Sequence, residues 1–166
     1  MRKAKVLVAA LTLVGLALPL YAESQFTGSF GVNFFTYETP YLTTGVMYQH
    51  SVREKMDLVY GADFGIHTEQ KDGDVEASFL VPAKLGLHFP FGEDVFTYGV
   101  GTGISPSFAF GENDDPGFLI GPYLSGTMRV QVHPVMSIFM QVQQDLLFGA
   151  PKWIYTGTRL QIGISF

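Results

Sequence analysis

The last ten residues of the chain alternate strictly between two faces and stop on a phenylalanine. The polar face includes Arg159 and Gln161, and the apolar face is formed by Leu160, Ile162, Ile164 and Phe166. A period of two indicates a β-strand, and one apolar face opposite one polar face is typical of a strand with lipid outside and a polar interior. The segment therefore predicts a strand that crosses a membrane.

Seven earlier segments show the same alternation. The eight predicted strands are residues 26–37, 43–52, 57–67, 78–89, 95–105, 118–133, 136–145 and 153–166. Tilted strands need about 9–11 residues to cross a bilayer, whereas strands of soluble proteins usually have about 5–6. The chain also holds 19 glycines, 15 phenylalanines and 8 tyrosines, as tight turns and aromatic girdles require. We expect an all-β fold, an eight-stranded antiparallel up-and-down transmembrane β-barrel.

The predicted connections alternate in length. Short turns are expected at residues 53–56, 90–94 and 133–135, and longer links at 38–42, 68–77, 106–117 and 146–152. Outer-membrane barrels combine short periplasmic turns with longer external loops, so the longer links are expected to face outward.

The beginning of the chain has the pattern of an export signal. Residues 1–5 are basic, residues 6–20 are apolar, and a small residue, Ala22, precedes Glu23. This pattern predicts a cleaved signal peptide over residues 1–22, followed by one barrel domain over residues 23–166. The mature chain would keep 7 basic and 15 acidic residues, a formal net charge of −8, which argues against binding to nucleic acid. The chain has no cysteine, which excludes disulfides and thiol chemistry.

Strand parity places several polar side chains inside the predicted barrel. Burying charged groups is costly unless they are paired, so we expect an internal network of salt bridges and hydrogen bonds. Asp63 and Lys84, at similar depth on consecutive strands, are the best candidates for an ion pair. The alternative is a narrow solute path, opened by the inward glycines of the fifth strand. The predicted lumen network consists of Asp63, Lys84, Arg129, Gln141, Gln143, Asp145, Arg159 and Gln161.

The sequence gives little support for catalysis or for a bound group. His67 lies four residues after Asp63, yet no nucleophile motif accompanies this pair. The acidic runs at residues 72–74 and 113–115 lack the spacing and the closing glutamate of a calcium loop. We expect a protein that is not an enzyme, with no catalytic residue, cofactor or metal site.

The signal peptide, the eight alternations and the terminal Phe166 together resemble the small eight-stranded outer-membrane barrels of the OmpX and OmpW families and the OmpA membrane domain. The resemblance implies residence in the outer membrane, with its lipids as the surroundings. It also implies that Leu160, Ile162, Ile164 and Phe166 are the signal that the barrel-assembly machinery reads. Two functions remain open, a non-enzymatic structural or surface-interaction role with an unknown ligand, and a narrow channel or transporter for small solutes.

Overall fold

The computed structural model of the protein describes residues 24–71, 73–93, 95–111 and 117–166; the predicted signal peptide, residues 1–22, lies outside them. No helix in these ranges is long and apolar enough to cross a membrane. The strands found there are β1 (Ser24–Phe35), β2 (Thr39–Arg53), β3 (Met56–Lys71), β4 (Asp74–Glu93), β5 (Phe96–Ile104), β6 (Ser107–Phe110), β7 (Phe118–Leu119), β8 (Pro122–His133), β9 (Met136–Phe148) and β10 (Ile154–Ser165).

All strands are antiparallel to their neighbours, and they close into one ring. β1 pairs with β2 on one side and with β10 on the other, and the pairing of β3 with β4 completes the circle. β5 and β6 both pair with β4 and together form one interrupted strand, as do β7 and β8. The ring therefore has eight strand positions, which confirms the predicted fold class.

The interruption between β5 and β6 lies at Pro106, which has no N–H to donate to the sheet. Two backbone bonds span it, from Ala83 N to the Pro106 carbonyl and from Ser105 N to the Gly121 carbonyl, both 2.7 Å. The pairing register of β4 is the same before and after the break. The wall of the barrel thus loses ladder bonds locally without shifting its strands.

The barrel has an inverted distribution of side chains. Large apolar residues face outward, as in Leu124 and Phe30, which are 60% and 59% exposed, while Arg159 and Gln143 inside are 0% exposed. An apolar exterior around a polar interior matches the alternation read from the sequence. It is the distribution that a surrounding hydrocarbon phase favours.

Three of the four predicted longer links are wrong in whole or in part. Residues 36–38 form a tight turn with positive φ at Thr36 and Tyr37. The predicted link at residues 68–77 is instead mostly strand, because β3 and β4 stay paired up to Lys71 and Asp74. Side chains beyond the apolar belt can be polar on both faces of a strand, so the alternation disappears there although the ladder continues. Within the third predicted link, residues 106–117, Ser107–Phe110 form strand β6, and residues 112–116 lie outside the described residues.

Candidate functional site in the barrel lumen

Side chains inside the barrel form three layers between its two ends. We call the end with Ser24, Phe166 and the turn between β8 and β9 the inner end, and the opposite end the outer end. The layers are an apolar outer layer, a charged central cluster and a polar inner cluster, and each is built from the inward positions of several strands.

The outer layer is an apolar plug. The ring of Phe35 stacks on Tyr155 with centroids 5.8 Å apart and meets Tyr41 edge-on at 6.3 Å. Leu80 and Leu119 fill the space beside these rings and are almost fully buried. The complete layer contains Phe35, Tyr41, Leu80, Ala109, Leu119, Leu147 and Tyr155.

The central cluster is organised around Arg159. Its Nε and Nη2 both donate to the carboxylate of Asp145 at 3.0 Å, in the two-pronged geometry that is strongest for this pair. Its Nη1 donates to Asp63 at 2.7 Å, and Nη2 also donates to Ser105 at 3.0 Å. One guanidinium thus serves two carboxylates from different strands, which is how a buried charge becomes tolerable.

Glutamines extend the central cluster along the lumen. Gln161 donates to Asp63 at 2.9 Å, and Gln143 donates to Asp145 at 2.8 Å. Gln141 donates to Gln143 at 3.2 Å, so the polar chain continues towards the inner end.

The predicted ion pair between Asp63 and Lys84 is wrong. Asp63 pairs with Arg159, while Lys84 donates to the amide oxygen of Gln141 at 3.2 Å. In a narrow barrel, residues on opposite walls are within reach of long side chains, so adjacency along the sheet does not decide the partner. A glycine makes room for the carboxylate, since a Cβ on Gly45 would lie 1.7 Å from Asp63 Oδ1.

The inner cluster contains Asp57 and His88, which were missing from the predicted network. Asp57 accepts hydrogen bonds from Gln49 and Ser51, both at 2.6 Å, and His88 Nδ1 lies 3.4 Å from it. The other ring nitrogen of His88 lies 2.8 Å from Thr127 Oγ1. Strand parity could have found these residues, because Asp57 shares a face with Val59 and Asp63.

The order carboxylate, imidazole, hydroxyl in Asp57, His88 and Thr127 resembles a hydrolase triad. The cavity beside them has a volume of about 20 Å³. That is enough for a single water and far too small for a substrate. In this arrangement the three side chains satisfy one another's hydrogen-bonding groups.

Arg129 occupies the innermost level of the predicted network. Its Nη2 donates to Gln49 Oε1 at 3.0 Å, and its Nη1 donates to Gln25 Oε1. No carboxylate of the described residues lies within 4.0 Å of its guanidinium. Arg129 also borders an open cavity of about 510 Å³ at the inner end.

The remaining titratable candidate, His67, lies near the outer end. Its Nδ1 is 2.9 Å from the Pro40 carbonyl, and its ring packs on Tyr41. Asp63, with which sequence spacing associates it, is instead bonded to Arg159 and Gln161. Within the described ranges, no group of three or more His, Asp or Glu residues is placed to hold a metal ion.

Comparison with known proteins gives matches in structure but not in sequence. No protein-family profile and no curated protein sequence matches the chain. Neisserial surface protein A superposes with a TM-score of 0.63 and 11% identity over 86% of this chain and 94% of that one. The chain has the fold of the small outer-membrane β-barrels.

Two further solved structures support the same fold. Ail of Yersinia pestis, crystallised with the heparin analogue sucrose octasulfate, has a TM-score of 0.59 and 10% identity over 87% of this chain and 99% of that one. The outer membrane protein OprG of Pseudomonas aeruginosa has a TM-score of 0.59 and 11% identity over 87% of this chain and 96% of that one. At such identities the likeness concerns architecture, and function has to be argued from the lumen and the surface.

Proposed function

We propose that the protein is a non-conducting, non-enzymatic barrel of the outer membrane, with a structural or surface-interaction role. The observation that carries this proposal is the filled lumen. The plug of Leu80, Leu119 and three aromatic rings lies above a central cluster in which Arg159 is fully buried. Solute transfer needs a continuous open path through the barrel, and the side chains of both layers fill the lumen across it.

The glycines that favoured a channel do not leave open space. A Cβ on Gly99 would lie 2.0 Å from His88 Nε2, and one on Gly101 would lie 2.5 Å from Ser125 Oγ. Neighbouring side chains therefore occupy the volume that these glycines free. This argues against the alternative of a channel or transporter for small solutes.

Conductance measurements test the proposal. The purified barrel, inserted into a planar lipid bilayer, is expected to give no stable single-channel steps in potassium chloride. A general porin in the same lipid controls for the sensitivity of the bilayer. Reproducible conductance steps from the folded barrel would overturn the proposal and favour the channel.

We propose that the barrel is surrounded by the lipids of the outer membrane. We also propose that it arrives there after a signal peptide, residues 1–22, has been removed. The outward aromatic residues support this, with Phe26 and Phe91 near the inner end and Phe64 and Phe118 near the outer end. Such rings favour the two levels where hydrocarbon meets water. Fractionation of membranes and mass spectrometry of the mature N-terminus test the location and the cleavage. Recovery in the inner membrane with residues 1–22 attached would contradict both.

We also propose that the outward residues of β10, together with the adjoining Phe166, are read during assembly. Leu160, Ile162, Ile164 and Phe166 are 42–63% exposed on the lipid face. Phe166→Ala is expected to lower the amount of folded barrel in the outer membrane several-fold. Phe26→Ala is the matched control, because Phe26 exchanges two backbone hydrogen bonds with Phe166 and is similarly exposed. Equal losses in both variants would point to lipid contact instead of recognition.

The ligand of the Ail complex is a sulfated polyanion. The outer end of the present barrel carries exposed Glu38, Glu69 and Asp74, with Glu76 half-buried beside them. These charges would repel such a ligand, so we expect no retention on heparin at physiological salt. Retention that disappears at high salt would contradict this view of the surface.

A further inference from the structure

The inner end of the barrel contains a recess that the filled lumen does not explain. Its volume of about 510 Å³ falls within the ~300–1,000 Å³ of small-molecule pockets. The residues that line it include Gln25, Thr97, Arg129, Gln131, Ser137 and Phe166, and no Asp or Glu is among the lining residues that the structure describes. We call this recess the inner mouth.

Arg129 is fixed at the inner mouth by two neutral acceptors. The side-chain oxygens of Gln25 and Gln49 accept from its two terminal nitrogens, so the guanidinium is held in one position across the barrel. Its Nε is buried and has no hydrogen-bond acceptor among the described residues. Nε is therefore a donor of this guanidinium that still lacks an acceptor.

The charge of Arg129 is also not neutralised by direct contact. Asp57 is linked to it only through Gln49, whose amide nitrogen donates to Asp57 at 2.6 Å. That carboxylate already accepts from Ser51 and lies beside His88. A partly buried cation without a contacting counter-ion is electrostatically costly, and an anion that enters the mouth would relieve this cost.

We propose that the inner mouth binds a small oxyanion, a carboxylate or a phosphate, with Arg129 as its anchor. The hydroxyls of Thr97 and Ser137 and the amide of Gln131 supply additional donors in the same recess. A planar guanidinium with neighbouring hydroxyl and amide donors is the donor set that recognises these groups. The inference concerns the mouth alone and holds whether or not the lumen conducts.

Titration of the purified barrel in an uncharged maltoside detergent tests the proposal. Acetate and inorganic phosphate are added at constant ionic strength, and the NMR signal of Arg129 Nε–H reports contact. We expect saturable shifts of this signal, and no saturable shift with ethanolamine hydrochloride. A repeat in phosphatidylcholine nanodiscs distinguishes the sources, because headgroup phosphate at the mouth would weaken the binding of free phosphate.

Three variants make the test specific, with affinity measured by calorimetry. Arg129→Gln is expected to weaken binding at least tenfold. Gln131→Trp narrows the mouth and keeps the cation, and it is expected to weaken binding by a similar factor. It serves as the second test in case Arg129→Gln does not fold. Arg53→Gln removes an exposed cation from the β2–β3 turn at the same end and should leave the affinity unchanged. Unchanged binding in the first two variants, or equal loss in all three, would overturn the proposal.

Discussion

Arg159 and Arg129 are both inward-facing arginines of one small barrel, yet their surroundings differ. Arg159 is fully buried, donates four hydrogen bonds and contacts two carboxylates. Arg129 is half-buried, donates to two neutral amides and borders open space. The two arginines differ in the number of carboxylates they contact. Arg159, with two, has a structural role, whereas Arg129 contacts none among the described residues, and this is why we propose that it binds a ligand.

The largest expected effect is the loss of the central guanidinium. Arg159→Met leaves Asp63 and Asp145 buried without their cation, which costs about 3–5 kcal/mol for a broken buried pair. Urea unfolding in lipid vesicles, followed by tryptophan fluorescence, measures the loss. The control is Arg53→Met at an exposed turn, expected to change stability by less than about 0.5 kcal/mol. A loss of similar size in the control would show that the assay does not resolve burial.

A double-mutant cycle between Arg159 and Asp63 sharpens the comparison. Because each carboxylate is costly only while it is unpaired, Asp63→Asn should recover part of the stability that Arg159→Met loses. The expected coupling energy is about 1–3 kcal/mol, measured by the same unfolding experiment. The matched control is a second cycle that combines Arg159→Met with Asp57→Asn. Asp57 does not contact Arg159, so the coupling energy in this cycle should be near zero. Equal coupling in both cycles would contradict the assigned partners.

Removing the guanidinium of Arg129 at the inner mouth should destabilise the barrel less than removing that of Arg159. Arg129→Met removes two hydrogen bonds but also a cation without a contacting counter-ion, so the net destabilisation is expected to be about 1 kcal/mol. Unfolding in lipid vesicles again provides the measurement. A loss as large as that of Arg159→Met would mean that Arg129 is part of the architecture.

The smallest expected effect is the response to salt. The ion pairs of Arg159 are inaccessible to water, whereas Arg129 borders the aqueous mouth, where mobile ions screen charge. Raising sodium chloride from about 0.05 to about 1 M should change the effect of Arg129→Met by a few tenths of a kcal/mol. The effect of Arg159→Met should stay constant within error, and the opposite ranking would contradict the layered lumen.

Much of this architecture follows from alternation alone. A period of two assigns each residue to the lipid or the lumen, and the side chains of Asp63, Asp145 and Arg159 are buried. Alternation does not determine which inward side chains form ion pairs. The pairing depends on how far a side chain reaches across the lumen and on local space, such as the space that Gly45 leaves for the Asp63 carboxylate. This is why Asp63 pairs with Arg159 and not with Lys84.

The strand ends were harder to predict for a related reason. Asp57 lies one residue after the start of β3, at the edge of the alternating segment, although its parity matches that of Val59 and Asp63. Beyond the apolar belt, residues 68–77 were predicted as a link because neither face of that segment is apolar. Backbone pairing continues through most of it regardless, since a β-ladder needs only neighbouring N–H and C=O groups.

The hairpin above the belt also bears on how copies of the protein meet. Thr68–Lys71 pairs only with Asp74–Ala77 in the described sheet, so this ribbon has two open edges. Open edges invite strands from other molecules, and charged side chains are a common deterrent. Glu69 stands directly opposite Glu76 on this ribbon. If a second ribbon docked edge to edge, four carboxylates would lie close together and repel one another. Copies of the protein that are densely packed in a bilayer should therefore not aggregate through this ribbon.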